Sequence, residues 1–155
     1  MYHRPNMKLY QYNAIDKFTI MRLLYGYEEQ STYSSADFAE RAVKWFKRRG
    51  IKVECIQTDN GFEFTNRFSP SKKDKPTLFE SRLTKLGVQH KLICPYTPRH
   101  NGKVERNHRE DHNKFYSCHS FYSYADLNAQ LTKRLSQTNN LPIRPLNWFS
   151  PIELF

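Results

Sequence analysis

The first segment whose residue types could do chemistry is Thr58-Asp59-Asn60-Gly61, which follows a predicted strand at 51–57. An aspartate here lies at the carboxyl end of a strand, and ligands of α/β sheets usually bind at that edge. The other interpretation is an Asx-turn, in which the Asp59 side chain caps its own backbone and has no further role. For this segment taken alone, the Asx-turn is the commoner structure.

The second such segment is 95–106, where a loop ends and a helix is predicted to begin at Gly102. It places Glu105 in the first turns of that helix. The helix dipole by itself favours a carboxylate there, so a purely structural role is open for Glu105 as well. Side chains that could contact DNA phosphates surround this glutamate in the sequence: Arg99, His100, Lys103, Arg106 and Arg109.

The two acids together indicate a metal-dependent site. Hard divalent cations such as Mg²⁺ bind carboxylate oxygens, and phosphoryl-transfer sites often hold two such ions about 3.5–4 Å apart. Asp59 and Glu105 come from distant segments, each at the end of a predicted element and each set among polar or cationic residues. They are therefore candidate catalytic residues and candidate ligands of Mg²⁺ (or Mn²⁺), while the neighbouring cations would hold DNA.

The elements that must position these residues mix strands with helices, which indicates an α/β layer architecture. Ser34 or Ser35 is expected to cap the first helix, and Thr77 to cap a shorter helix closed by Gly87. The tail is expected to be extended. The predicted strands lie at 9–15, within 18–28, and at 51–57 and 88–93, and the predicted helices end before residue 50, run from about 78 to 86, and cover about 102–118 and 124–138.

The composition favours a nucleic-acid partner. The chain has 155 residues, the size of one domain with one core, and its 25 Lys and Arg exceed its 15 Asp and Glu, giving a formal charge of +10. Such an excess favours a polyanion because each neutralised phosphate releases counterions. Charge alone is explained equally well by a basic protein that has no nucleic-acid partner.

Two further features bear on location. No apolar run approaches the length of a membrane span, so no membrane partner is expected. The three cysteines, Cys55, Cys94 and Cys118, are scattered and show no CxxC spacing. They argue for reduced thiols and a cytoplasmic location rather than for a disulfide framework or a zinc site.

Other motifs have weaker support. His108 and His112 are four residues apart and could form one side of a zinc site, but no HExxH pattern accompanies them. Tyr25, Tyr27 and Tyr33 could stack on bases, although packing in the core or the hairpin is the commoner use of such residues.

The segments TDNGFEF and PYTPRHNGKVER resemble the second and third acidic motifs of bacterial insertion-sequence transposases of the retroviral-integrase superfamily, the DDE enzymes. The segments YQYNAID, STYSSADF and SPIEL are similar to the same family, so the resemblance covers nearly the whole chain. It implies a ribonuclease H-like mixed sheet flanked by helices, and an integrase-type catalytic core over 1–155. It also implies that Asp59 and Glu105 are the second and third catalytic carboxylates.

The activity that this resemblance implies is DNA transposition or integration by Mg²⁺-dependent phosphoryl transfer. Water cleaves DNA at the ends of the element, and the freed 3′-hydroxyl then attacks target DNA. The implied partners are transposon-end DNA, target DNA and, for a full-length protein, further copies of itself.

The sequence departs from the family pattern in two ways. The last two acids of the family are usually separated by about 35 residues, whereas 45 residues separate Asp59 from Glu105, and an insertion at 69–76 can absorb most of the excess at little cost in free energy. The strand at 9–15 resembles the family's second strand. The first, central strand, its catalytic aspartate and a helix-turn-helix region are therefore expected upstream of Met1, and Asp16, at a hairpin turn, is a weak substitute for that aspartate.

The incomplete set of acids leaves two hypotheses open. The first is a partial catalytic core of an active transposase. The second is a catalytically inactive remnant that binds DNA or multimerises. A ribonuclease acting on RNA–DNA hybrids shares the implied fold but is disfavoured by the NGKVER segment.

Overall fold

The computed structural model describes residues 8–94 and 102–154, with the side chains of Lys103, Val104 and His108 excluded. Its contacts group the chain into two compact units instead of the single core expected from the chain length. The terminal unit consists of Met1–Glu28 and Val104–Phe155, and the central unit consists of Glu29–Lys103.

The terminal unit contains an antiparallel hairpin of strands β1 (Tyr10–Ile15) and β2 (Arg22–Tyr27). Tyr12 faces Tyr25 across the two strands. The predicted hairpin is confirmed, although its second strand begins at Arg22 and a wider turn joins the two strands.

Two helices follow in the terminal unit. Helix α3 (Gly102–Asp111) continues into a π-helical turn, His112–Tyr116, and helix α4 covers Tyr124–Asn140. Helix α4 packs against β2. The apolar positions predicted to share one face of α4 are all buried, at fourth-residue spacing: Leu127, Leu131 and Leu135.

The central unit packs two helices beside a parallel strand pair. Helices α1 (Thr32–Arg48) and α2 (Leu78–Leu86) contact each other, and strands β3 (Cys55–Thr58) and β4 (Gln89–Leu92) pair in parallel. One buried hydrophobic cluster of this unit contains Ala39, Phe79, Leu83 and Val88.

The start of each central-unit helix is fixed by a hydroxyl group. Thr77 forms a capping box with Glu80, and Gly87 ends α2 at a φ of 69°, as predicted. The predicted cap of α1 is wrong, because Ser31 caps that helix and accepts a hydrogen bond from the backbone of Ser34.

The described residues contain two sheets of two strands each, the β1–β2 hairpin and the β3–β4 pair. The tail contains two short 3₁₀ turns, Arg144–Leu146 and Pro151–Leu154, in place of the predicted extended chain. No helix in the described ranges is long and apolar enough to cross a membrane.

Candidate active site

Asp59 is exposed and lies directly after β3. Its Oδ1 accepts a hydrogen bond from the backbone N–H of Gly61 at 2.8 Å, which is the geometry of an Asx-turn. The two interpretations of the TDNG segment are therefore compatible, because the carboxylate orders its own turn and is also exposed at the carboxyl end of a strand.

Hydrogen bonds of the Thr58 and Asn60 side chains hold this turn against β4 and the residue after it. The Thr58 hydroxyl donates to the carbonyl oxygen of Asp59 at 3.0 Å and lies 2.7 Å from Nε2 of His90 on β4. The Thr58 hydroxyl therefore contacts both the turn and β4. The Asn60 side chain donates to the carbonyl oxygen of Ile93 at 3.1 Å, so both ends of the turn are tied to β4 and the residue that follows it.

A second carboxylate, Glu63, lies beside Asp59. Its residue is only 6% exposed, Oε1 accepts a hydrogen bond from Gln30 at 2.9 Å, and its backbone carbonyl accepts one from the Ser35 hydroxyl, also at 2.9 Å. A Cβ atom placed on Gly61 would lie 2.7 Å from Glu63 Oε2 and 2.9 Å from Asp59 Oδ1. A side chain at position 61 would therefore require the two carboxylates to shift.

Glu63 lies within the TDNGFEF segment, but the sequence alone assigned no role to it. Its four-residue spacing from Asp59, with a glycine midway, is a signal that could have drawn attention to it. Within the described part of the chain, Glu63 Oε2 is buried without a hydrogen-bond partner. An orphan buried acceptor of this kind is uncommon and is a frequent mark of functional sites.

Glu105 lies in the first turn of α3 and is exposed. Arg106 and Arg109 are exposed on the same helix, and Arg106 Nε lies 3.6 Å from a carboxylate oxygen of Glu110. The helix therefore presents one candidate ligand together with two candidate DNA contacts.

The far end of α3 is anchored by a buried ion pair that the sequence did not indicate. Asp111 is 1% exposed and receives two hydrogen bonds from the guanidinium of Arg22 on β2, at 2.7 and 3.0 Å. The Gln11 amide donates to the same carboxylate at 3.0 Å, and the Tyr116 hydroxyl donates to Gln11. Burial, followed by the Asp111 charge, raises the pKa of Tyr116 far above its usual value, so Tyr116 stays neutral.

Several of the residues predicted to contact DNA lie in the part of the chain that the structure does not describe. Arg99 and His100 lie outside the described residues, as do the side chains of Lys103 and His108. Asp59 belongs to the central unit and Glu105 to the terminal unit, and each is described within its own unit.

Asp16 is committed to the hairpin turn. Its Oδ2 accepts hydrogen bonds from the backbone N–H and the hydroxyl of Thr19, at 2.8 and 2.7 Å. These bonds give Asp16 a structural role, as expected for a turn residue.

The donor chemistry of Asp59 and Glu105 fits a hard divalent cation, since both offer exposed carboxylate oxygens. Across 8–94 and 102–154, no three His, Cys, Asp or Glu side chains converge to form a metal-binding group. The three cysteines are exposed and free, which agrees with their predicted thiol state.

Two family models, both described as "Integrase core domain", match this chain, one over residues 1–98 and the other over residues 86–141. The chain belongs to the integrase core domain family. The integrase-type catalytic core predicted from TDNGFEF and PYTPRHNGKVER is thereby confirmed, whereas the bacterial insertion-sequence origin stays a prediction. Integrase cores generally depend on divalent metal ions.

Two curated proteins are similar to this chain in sequence. "Putative integrase ORF3" of Spiroplasma virus SpV1-C74 is 37% identical over 105 residues, which is 66% of this chain and 29% of that protein. "Retrovirus-related Pol polyprotein from transposon TNT 1-94" of Nicotiana tabacum is 33% identical over 63 residues, 41% of this chain and 4% of that protein. The chain thus spans less than a third of the length of these relatives.

Solved integrase structures share the fold at low identity. The catalytic core domain of HTLV-2 integrase, in complex with magnesium and in a trimeric form, matches 98% of this integrase core and 88% of its own chain, with 17% identity and a TM-score of 0.66. The simian T-cell lymphotropic virus intasome in complex with a PP2A regulatory subunit matches 93% and 47%, with 19% identity and a TM-score of 0.68. The catalytic core of BIV integrase matches 94% and 84%, with 19% identity and a TM-score of 0.61. The predicted ribonuclease H-like mixed α/β fold is confirmed.

Proposed function

We propose that this integrase core takes part in DNA transposition or integration by metal-dependent phosphoryl transfer, cleaving one strand and then joining it to another. The observation that carries the proposal is the exposed Asp59 at the carboxyl end of β3, on a turn held by Gly61 and by the Thr58 hydroxyl. A fixed and accessible carboxylate at that edge is suited to hold an ion against a substrate.

In this proposal Asp59 and Glu105 are the catalytic carboxylates of the chain and hold Mg²⁺ (or Mn²⁺). Bound ions of this kind activate the attacking oxygen and stabilise charge on the leaving oxygen. The hydrogen bond from the Gly61 backbone to Asp59 Oδ1 sets the orientation of this carboxylate. The buried Asp111–Arg22 pair fixes the other end of the helix that carries Glu105.

The proposed partner is DNA, both the ends of a mobile element and the target. Arg106 and Arg109 would contact phosphates together with Arg99, His100 and Lys103, and the charge of +10 supplies the wider attraction. Because structural neighbours are described as an intasome and as a trimeric form, we propose that the full-length protein works as a homo-oligomer. The whole span 1–155 would then be an integrase-type core, partial with respect to its catalytic acids.

The second candidate function is an inactive remnant of a transposase that binds DNA or multimerises. The observation that favours it is that the Asp16 carboxylate is bonded to Thr19 in the hairpin turn. Among the acids considered as metal ligands, Asp59 and Glu105 then remain as exposed candidates in the described ranges. Such a protein would keep the basic surface without a full metal site.

Single-residue variants of the full-length protein test the proposal. Asp59→Asn and Glu105→Gln should each abolish Mg²⁺-dependent strand cleavage, because each removes a metal ligand together with its charge. Both should keep DNA affinity, since the cations remain. Glu54→Gln is the matched control, an exposed carboxylate just before β3, and should cleave like the parent.

The assay is strand cleavage of labelled element-end DNA in Mg²⁺ and in Mn²⁺. Near-parental cleavage by Asp59→Asn or Glu105→Gln would refute the role of that residue. A parent protein that binds DNA but cleaves it in neither metal would establish the second candidate function.

A further inference from the structure

A groove in the central unit joins three largely exposed aromatic rings. It has a volume of about 820 Å³ and lies between the start of α1, the turn after Asp59 and the loop that leads to α2. Tyr33, Phe62 and Phe68 line it and are 70%, 67% and 64% exposed. Single exposed aromatics are normal on protein surfaces, but three in one groove form a surface suited to flat ligands.

The same groove is strongly cationic. Lys72 and Lys75 line it, and its loop, 66–77, carries four cations and one acid, a net charge of +3. On that loop the guanidinium of Arg67 lies 5.8 Å from the ring centre of Phe68. Most of this charge comes from the insertion at 69–76, the feature by which the chain departs from the usual family spacing.

Two helix N-termini add positive potential at the groove. Ser31 and Thr77, the N-caps of α1 and α2, are both among the lining residues. The positive end of each helix dipole therefore borders the groove and favours an anion there. This contribution supplements the lysines and does not depend on the insertion.

Aromatic rings that can stack on bases, next to cations that can bind phosphates, fit one class of ligand. Single-stranded nucleic acid is bound by this combination, in which bases stack on aromatic side chains and the backbone follows a cationic groove. Bases in a duplex already stack on each other, so their faces are not available to Tyr33, Phe62 or Phe68. We propose that this groove binds an unpaired segment of DNA, by stacking on the three rings and by contacts of its phosphates with Lys72 and Lys75.

The groove adjoins the candidate active site, since Asn60, the residue after Asp59, also lines it. An unpaired strand held here would lie next to the carboxylate proposed to act on DNA. The inference rests on the proposed function for its biological meaning. Binding itself is measured without metal, so a failure of cleavage and a failure of this inference are distinguishable.

The test is fluorescence anisotropy of the full chain with labelled oligothymidylate of about 12 nucleotides, within the span of about 4–16 that one binding module covers. Phe62→Ala and Phe68→Ala should each weaken binding by about 5- to 150-fold, the range expected for loss of one stacked base. The matched control is Phe18→Ala, which removes a ring that is 80% exposed on the hairpin turn, and it should bind like the parent. Because the rings of Phe18, Phe62 and Phe68 are all exposed, the three variants should fold normally, which circular dichroism checks.

A second set of variants separates stacking from simple apolar contact. Phe68→Tyr should keep affinity and Phe68→Leu should lose it, because only tyrosine retains a π face. Lys72→Gln should reduce the slope of log affinity against log salt by about 0.7, the value for one phosphate contact with a single strand.

Three results would overturn the inference. The first is an affinity of Phe62→Ala and Phe68→Ala equal to that of Phe18→Ala. The second is full affinity in Phe68→Leu, which would indicate an apolar site. The third is binding of single-stranded DNA no tighter than that of a duplex of equal length, or weaker than that of oligouridylate, which would reassign the ligand to duplex DNA or to RNA.

Discussion

At the scale of single residues, the turn after β3 shows how a few atoms position a carboxylate. The Asp59 side chain orders its own turn, Gly61 leaves space for two carboxylates, and Thr58 links the Asp59 carbonyl to His90. His90 is half-buried, and burial lowers its pKa below the usual value, with Glu80 opposing the shift. The turn is therefore built on an imidazole that is neutral in the folded protein.

This neutral imidazole predicts a dependence of stability on pH. Because the pKa of His90 is lower in the folded state than in the unfolded state, where it is about 6.5, protonation favours unfolding. The contribution of His90 to stability should be complete above about pH 6.5 and should fall as the pH drops below that value. Urea unfolding of the parent and of His90→Gln between about pH 5 and 8 measures this. Parallel curves for the two proteins would contradict the prediction.

At the scale of elements, strand β2 is held by polar side chains of the helices α3 and α4 as well as by its hairpin partner β1. Its first residue, Arg22, forms the buried pair with Asp111 of α3, and the pair receives further support from Gln11. Arg134 Nε lies 3.7 Å from the same carboxylate, which is too long for a hydrogen bond and adds only charge attraction. The contact ties α3, and with it Glu105, to the hairpin.

Breaking this pair from one side should be costly. Asp111→Ala should lower the free energy of unfolding by about 3–5 kcal/mol, because it leaves the Arg22 charge buried and unpaired. Asp37→Ala removes an exposed ion pair with Arg41 and should cost less than about 1 kcal/mol. Chemical denaturation measures both. Similar losses in the two variants would show that burial of the Arg22–Asp111 pair has no energetic weight.

The free edge of β2 is covered by helix α4. The Asn128 amide exchanges two hydrogen bonds with the backbone of Gly26, at 2.8 and 3.1 Å, and the Asn139 amide does the same with Arg22, at 3.1 and 3.0 Å. The two asparagines are about three helical turns apart and so lie on one face of α4. Gly26 permits the close approach, since a Cβ there would lie 2.4 Å from Leu127. The amides replace a neighbouring strand and protect the edge from pairing with other chains.

Asn139→Ala should therefore destabilise the protein by about 1–3 kcal/mol, because it leaves the buried N–H and C=O of Arg22 unpaired. The adjacent Asn140 is exposed and donates a hydrogen bond to the Ser136 carbonyl of its own helix, so Asn140→Ala should change stability by less than about 0.5 kcal/mol. Hydrogen exchange of the Arg22 amide gives a local readout and should be faster only in the Asn139 variant. Unchanged exchange in Asn139→Ala would exclude the role assigned to this amide.

At the scale of the whole molecule, charge dominates. A formal charge of +10 on 155 residues favours contacts to phosphates, which carry no sequence information. Phosphate contacts release counterions, so their strength depends on salt. Binding of this chain to duplex DNA should accordingly be governed by ionic strength more than by sequence.

Duplex affinity should fall steeply with salt, by about 10³-fold or more between roughly 50 and 200 mM if six or more phosphates are neutralised. Element-end DNA and random duplex of equal length should bind with similar affinity. Titrations of both DNAs at several salt concentrations provide the measurement. A flat salt response, or a preference of several hundredfold for one sequence, would count against an electrostatic mode.

The sequence by itself determined the features that depend on near neighbours. Thr77, Glu80 and Gly87 specify both ends of α2 because caps act within a few residues, and the leucine spacing in α4 specifies its buried face. The acidic motifs determined the family for the same reason, since a short segment with a fixed spacing carries the information.

The tertiary structure decided what depends on residues that are distant in the chain. Asp111 is one of several acids in a polar helix, and only its burial against Arg22, 89 residues away in sequence, makes it an anchor. The three tyrosines considered for stacking diverge in the same way: Tyr25 and Tyr27 contact each other in the hairpin, whereas Tyr33 stands exposed in the groove. Ser31 rather than Ser34 or Ser35 caps α1, and the Ser35 hydroxyl instead donates to the carbonyl of Glu63, 28 residues away. A polar side chain acquires its role from the partner that folding brings to it, and a local pattern does not contain that partner.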